Sequence, residues 1–331
     1  MTSPQPVTEL FWAYWKTKTM LSAIELGVFT ELAKEPLRGD ELAGRLGLGP
    51  GAVGDFLDAL VALDLLDRTG DVYANTPAAD EYLDAGKPAT YLGDSYLTQC
   101  AGLADDLTGV LRTGEALRGA RTGRDFYADT YATSNSVRAF QRDMTALSIG
   151  SARVIADSFP WDDYRSLADI GTSEGALPGR ILLRHPHLTA VGFDLPQARE
   201  GFEEYTGALD LADRMSFQPG DFFRDELPSA DVLVFGHILH NWGLEEKRLL
   251  LDKAYRALPE GGAVLIYETL IDGDRRSNAV GLILSLMMHL EVPGGFDYTG
   301  PECQEWLREA GFRETRVEHL DGPESMIIGF K

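Results

Sequence analysis

The chain has 331 residues, 44% of them hydrophobic and 25% charged, which is length and apolar content enough for two domains with buried cores. A formal charge of −22 and a pI near 4.6 argue against nucleic acid or an anionic membrane as partner, because binding phosphates takes clustered Lys and Arg. Cys100 and Cys303 are too few for a disulfide framework, the N-terminus has no basic region leading into an apolar run, and no stretch of about 18 apolar residues occurs, so a cytoplasmic setting is expected.

The first predicted element runs from Leu10 to Leu26 and is apolar on more than one face, which makes it a candidate subunit interface. From Pro36 to Tyr82 the elements are short. One helix starts at Gly39 and stops at Gly47, and Val53, Phe56, Leu57, Leu60, Val61 and Leu63 form the next at helical spacing. Leu65 to Tyr73 reads as a hairpin with Thr69-Gly70-Asp71 at its tip, completing the outline of a winged helix. That outline raises a DNA-binding regulator. The would-be recognition helix, Gly51 to Asp64, has no Lys or Arg and carries Asp55, Asp58 and Asp64, which would meet phosphates as like charges, so packing and dimerisation are favoured instead. Between Glu81 and Asp163 the chain is mostly helical, with loops at 86–88, 112–114 and 119–124. Phe126, Tyr127, Phe140, Met144 and Leu147 are spaced for a helix face; an acceptor pocket and plain core fit them equally. Pro160 to Tyr164 is the candidate boundary.

Leu167 to Asp194 is a βαβ unit. An apolar strand enters the turn Gly171-Thr172-Ser173-Glu174-Gly175, a helix follows through Leu183, and a second apolar run ends at Asp194. Gly171 lets the backbone turn sharply and approach a ligand, and the helix beginning near Glu174 aims free N–H groups there. An acid about 20 residues past the glycine turn is placed for the hydroxyls of a ribose, though an ordinary α/β turn with a solvated acid has the same pattern. Further strands follow: Met215 into Gly220-Asp221-Phe222-Phe223, suited to a flat base; Asp231 to Phe235 into Gly236-His237-Ile238-Leu239-His240-Asn241-Trp242; and Gly262 to Glu268. A helix covers Glu245 to Leu258, and Gly311 to His319 and Ser325 to Lys331 supply two last strands. Acids and histidines thus recur at strand carboxyl ends, where open α/β sheets bind ligands.

Phe193-Asp194-Leu195-Pro196, Gly220-Asp221-Phe222-Phe223, Leu239-His240-Asn241-Trp242 and Gly294-Gly295 leading to Tyr298-Thr299 carry a resemblance over nearly the whole chain. It resembles the S-adenosylmethionine-dependent small-molecule O-methyltransferases, typified by the plant caffeic-acid enzymes and the bacterial enzymes that tailor antibiotics and other secondary metabolites. The resemblance implies an α/β chain: a Rossmann-like doubly wound seven-stranded sheet of the class I methyltransferase kind at 161–331, an N-terminal all-helical or winged-helix dimerisation domain at 1–95, and a helical linker at 96–160 that contributes to the acceptor pocket. It implies S-adenosylmethionine as cofactor, S-adenosylhomocysteine as product, a small-molecule acceptor and a homodimer. By position, Asp194 holds the ribose, Asp221 and Phe222 flank the adenine, and Asp169, Gly171, Thr172, Ser173, Gly175, Leu195, Gly220 and Gly236 complete the cofactor site. His240 is then the general base, with Glu268 and Asp297 steadying its imidazole, and Phe126, Phe140, Met144, His237, Asn241 and Met288 line the acceptor pocket.

The departures from the family pattern are specific. Relatives usually read Asp-x-Gly-Gly-Gly-x-Gly in the first motif, where this chain has Thr172 and Ser173 in place of two glycines; the turn survives them if φ stays negative, and they crowd the approach to the methionine end of the cofactor. Gly236 stands where plant members have Lys, Asn241 replaces the commoner Asp, and Asp297 falls where many relatives have Glu. The expected chemistry is displacement: a hydroxyl, phenolic in the first reading, loses its proton to His240 and attacks the sulfonium methyl. A phenol with pKa near 10 is a poor nucleophile at neutral pH, so an imidazole with an acid partner contributes roughly 10²- to 10⁴-fold. His237 and His240 form His-x-x-His, but their side chains are expected to diverge and no third ligand has recognisable spacing, so no metal is expected. His289 is left between pocket lining and packing. C- or N-methyl transfer, non-methylating use of the bound cofactor, and an interaction module with a decayed enzyme domain remain alternatives; intact Asp194, Asp221, His240 and Glu268 argue against decay.

Overall fold

In the computed structural model, which describes residues 2–49, 51–88, 90–100, 107–113, 122–292 and 294–331, the chain divides into two units, 1–104 and 105–331. The expected loop positions 114 and 119–121 lie outside the described residues.

The first unit runs α1 (Gln5–Glu25), α2 (Val28–Leu32), β1 (Leu37–Arg38), α3 (Gly39–Leu46), α4 (Val53–Ala62), β2 (Leu66–Thr69), β3 (Val72–Asn75), α5 (Pro77–Tyr82) and α6 (Gly93–Cys100). Gly27 takes a left-handed conformation, φ 74°, and breaks the first helical stretch into α1 and α2. The expected hairpin gains a third strand, β1, in the order β1-β3-β2. Leu21, Ile24, Phe29, Leu32, Leu42, Leu57, Leu60 and Leu66 form the core of this unit. Only the C-terminal part of α1 joins that core. Val7, Leu10, Phe11, Trp12, Tyr14 and Trp15 are all more than half exposed in the single chain.

The second unit runs α7 (Leu107–Thr113), α8 (Gly123–Thr130), α9 (Ser134–Ser158), β4 (Ser166–Ile170), α10 (Ala176–Arg184), β5 (Thr189–Asp194), α11 (Arg199–Ala208), β6 (Met215–Pro219), β7 (Val232–Gly236), α12 (Leu244–Ala257), β8 (Ala263–Thr269), α13 (Ala279–Glu291), α14 (Gly300–Ala310), β9 (Glu314–His319) and β10 (Glu324–Phe330). Its seven-stranded sheet has the order β6-β5-β4-β7-β8-β10-β9. The first five strands are parallel, and β10 is antiparallel to both neighbours. Strand alternation builds two cores, one on each face. Val232, Val234 and Leu265 pack with Ile155, Ile181 and Phe202 on one side. Leu233, Phe235 and Ile266 pack with Leu250, Leu251 and Trp306 on the other. The strand order reverses between β4 and β7, which opens a crevice at their carboxyl ends. Among the described residues, no helix is long and apolar enough to cross a membrane.

Candidate active site

The turn after β4 is built partly by packing. A Cβ at Gly171, φ 76°, would lie 2.3 Å from Ile238 Cδ1, and one at Gly175, φ 83°, would lie 2.7 Å from the Phe202 ring. α10 begins at Ala176, two residues beyond Glu174, with Gly175 as its cap. At Ser173 the condition of a negative φ is not met. At φ 56° it is left-handed, a conformation that costs a residue with a Cβ about 1–2 kcal/mol. Its N–H in that conformation donates to Asp194 Oδ2 at 2.9 Å, while its own hydroxyl is buried without a partner among the described residues. Thr172 Oγ1 donates to Asp169 Oδ2 at 2.8 Å. Burial pushes the Asp169 carboxyl up to about 7, against the pull of that hydrogen bond.

Asp194 ends β5 as a held acceptor. Oδ1 takes the Leu195 N–H at 2.7 Å and a long contact of 3.4 Å from the Tyr131 hydroxyl. Burial raises its pKa to about 6. A carboxylate has about four acceptor positions, so two firm backbone bonds and one long contact leave capacity for further donors. Gly220 N–H donates to the Asp194 carbonyl at 2.9 Å, and the Phe193 ring fills the place of its missing side chain. Asp221 Oδ1 accepts the Phe223 N–H at 2.9 Å. Phe222 and Phe223 meet edge to face and both abut Trp242, with centroids at 5.8 and 4.7 Å. A Cβ at Gly236 would lie 2.2 Å from the Tyr267 ring, so any side chain there would have to displace that buried ring.

His240 lies in the short helical turn Leu239–Asn241 beyond β7. Its Nδ1 is 3.2 Å from Asp297 Oδ1; a carboxylate only accepts, so the ring hydrogen sits on Nδ1 and Nε2 of the neutral ring is bare. Glu268 does not reach the ring in this way. Its Oε1 accepts the backbone N–H of His240 at 3.1 Å and so holds the turn rather than the imidazole. Burial pulls the His240 pKa down, and the Glu268 and Asp297 carboxylates outweigh it, leaving the pKa raised. Asn241 Nδ2 donates to the His237 carbonyl at 2.8 Å, another brace of the turn. The His237 and His240 rings do not diverge: their centroids are 5.9 Å apart. His237 has φ 52°, which takes it off the strand path and out of strand alternation.

Lys247 was not foreseen. It is fully buried on α12, donates to the Trp242 carbonyl at 2.6 Å and the Phe296 carbonyl at 2.9 Å, and lies 3.4 Å over the Phe296 ring. It therefore ties the His240 turn to the segment that carries Asp297. Burial lowers its pKa to about 8. Tyr127 also belongs to this region, stacked on Trp242 at 5.6 Å and edge-on to Phe126 and Phe140. Phe126, Phe140 and Met144 are half-buried, Met288 is buried, and Leu147 and His289 are exposed.

This strand order, a parallel sheet with β10 inserted antiparallel between β8 and β9, is that of a class I methyltransferase. The chain belongs to the O-methyltransferase family: residues 107–313 match its O-methyltransferase domain and residues 8–85 its O-methyltransferase dimerisation domain. Over 337 aligned residues it is 41% identical to the tetracenomycin polyketide synthesis 8-O-methyl transferase TcmO of Streptomyces glaucescens, covering 99% of this chain and 97% of that protein. It is 36% identical over 320 residues to the N,N-dimethyltransferase OxyT of Streptomyces rimosus, covering 95% and 92%. Its fold is similar to human N-acetylserotonin methyltransferase in complex with S-adenosylmethionine, with a TM-score of 0.84 at 24% identity over 99% of this chain and 97% of that one. The family's methyl donor is S-adenosylmethionine. The residues present fit that group: Asp194 has acceptor capacity for a ribose, and the buried, unpartnered Ser173 hydroxyl lies in the turn beside it.

Proposed function

We propose that this O-methyltransferase methylates a phenolic hydroxyl of a small aromatic acceptor, with His240 as general base. The observation that carries the reading is the buried His240–Asp297 pair at 3.2 Å, which fixes the ring with Nε2 as its proton acceptor. S-adenosylmethionine, when bound, supplies a sulfonium methyl group. Asp194 and Leu195 would hold its ribose, Gly220, Asp221 and Phe222 its base, and Asp169, Gly171, Thr172, Ser173 and Gly175 would complete its site. His240 Nε2 takes the hydroxyl proton, and Asp297 stabilises the imidazolium that forms. Glu268, Asn241 and Lys247 keep the turn in place. Tyr127, Phe126, Phe140 and Met144 of the linker, with Trp242 and Met288, offer apolar surface to a flat acceptor. TcmO, named for O-methylation in polyketide synthesis, supports a polyketide as the acceptor class.

The N,N-dimethyltransferase relative supports a second reading, methyl transfer to an amine. The exposed apolar face of α1 supports a homodimer, and the buried free thiol of Cys303 accords with a reducing cytoplasm. Incubation with methyl-labelled S-adenosylmethionine and a panel of polycyclic phenols and aromatic amines tests the function. The label is expected on oxygen, with turnover in His240→Ala lowered by roughly 10²- to 10⁴-fold and calorimetric cofactor affinity unchanged. Label on nitrogen would establish the second reading, and undiminished O-methylation by the variant would remove His240 as base.

A further inference from the structure

Among the described residues, one group of metal-type ligands converges: Asp162, His185 and His187 each offer a donor atom within 4.8 Å of the others. Asp162 lies in the short turn Trp161–Asp163 before β4, and the two histidines lie between α10 and β5. Both segments are at the amino ends of their strands, whereas Asp194 and His240 lie at or beyond carboxyl ends. The cluster is therefore separate from the methyl-transfer site.

The hydrogen bonding of the two rings is informative. His185 Nε2 is 2.7 Å from the Ala156 carbonyl, and His187 Nε2 is 3.1 Å from the Trp161 carbonyl. A carbonyl only accepts, so both Nε2 atoms carry the hydrogen and both Nδ1 atoms are bare in the neutral rings. This is the arrangement of metal-bound histidines, whose second nitrogen donates to a carbonyl or carboxylate. The anchoring carbonyls belong to core residues, Ala156 and Trp161 being 4% and 1% exposed, while the His185 ring is half-buried and His187 is exposed. His185 Nδ1 faces Asp162 Oδ1 at 3.9 Å, two acceptors with room for a cation between them. The Asp162 side chain is 91% exposed and free to swing the remaining distance to the ligand lengths of about 2.0–2.2 Å that zinc takes.

We propose that Asp162, His185 and His187 form a binding site for a divalent transition-metal ion of the zinc class. Two imidazoles and a carboxylate suit such ions over calcium or magnesium, and three protein ligands leave the fourth position to water. The ion would clasp the turn before β4 to the segment before β5 and stabilise the folded state by mass action.

Tag-free, chelator-treated protein with its six native histidines is titrated with Zn²⁺ by calorimetry and with Co²⁺ by visible absorption. One equivalent is expected to bind, with a tetrahedral Co²⁺ band and a raised thermal midpoint. Asp162→Asn and His187→Gln, each checked for folding by circular dichroism, are expected to weaken binding at least about tenfold and to abolish the thermal shift, with methyl transfer retained. Absence of binding would overturn the proposal, as would binding unchanged in both variants or lost in His240→Gln, which would place the ion at the methyl-transfer site.

Discussion

Thr172 and Ser173 are neighbours in the turn after β4, yet the fold treats the two positions differently. Ser173 adopts the glycine conformation and uses its backbone N–H on Asp194, so its side chain adds strain and a buried, unpartnered hydroxyl. Thr172 uses its hydroxyl on the buried Asp169 carboxyl. Ser173→Gly is expected to raise stability by up to about 1.6 kcal/mol, because relief of about 1–2 kcal/mol is partly offset by about 0.4–1 kcal/mol of added unfolded-chain freedom. Thr172→Gly should lower stability by roughly 1–3 kcal/mol through the unsatisfied carboxyl. Urea unfolding midpoints check both, and changes of the same sign would refute this account of the turn. The sequence displayed the two substitutions; a backbone dihedral is set by what the N–H must reach, which residue type does not display.

At the scale of elements, β4, β5, β7 and β8 were legible because buried parallel strands read as continuous apolar runs, and the acids or glycines at their ends mark where burial stops. β1 was not legible, since two residues carry no period, and neither was α2, whose separation from α1 rests on the single left-handed Gly27. The site was legible as a set of residue types and less so as a set of contacts. Which atom of His240 meets Glu268 depends on the path of a turn that begins at a left-handed His237. Lys247 was hidden by its neighbours Glu245, Glu246 and Arg248, which read as a solvated helix start. Helical spacing nevertheless aligns 247 with Leu250, Leu251 and Ala254, all buried, and that phase is the signal by which it was recoverable.

For the whole molecule, α1 carries more exposed large hydrophobics than any other helix among the described residues. Six large hydrophobics on one helix, Trp12 and Trp15 among them, form a patch of the kind that marks an interaction surface. Together with the matched dimerisation domain, this predicts a dimer by light scattering and a folded monomer for the double variant Trp12→Glu, Trp15→Glu. A dimer that survives both charges would move the interface elsewhere.

The role of His240 is tested most directly by the acid limb of kcat/KM. Only the neutral ring accepts a proton, so the rate falls as pH drops through the His240 pKa, which is raised above 6.5 and should set the midpoint there. Asp297 raises that pKa and Lys247 lowers it, so the two variants should act in opposite directions. Asp297→Asn is expected to slow the reaction and move the limb to lower pH; Lys247→Met is expected to move it to higher pH. A limb that stays in place in both variants, or shifts the same way in both, would contradict His240 as the base.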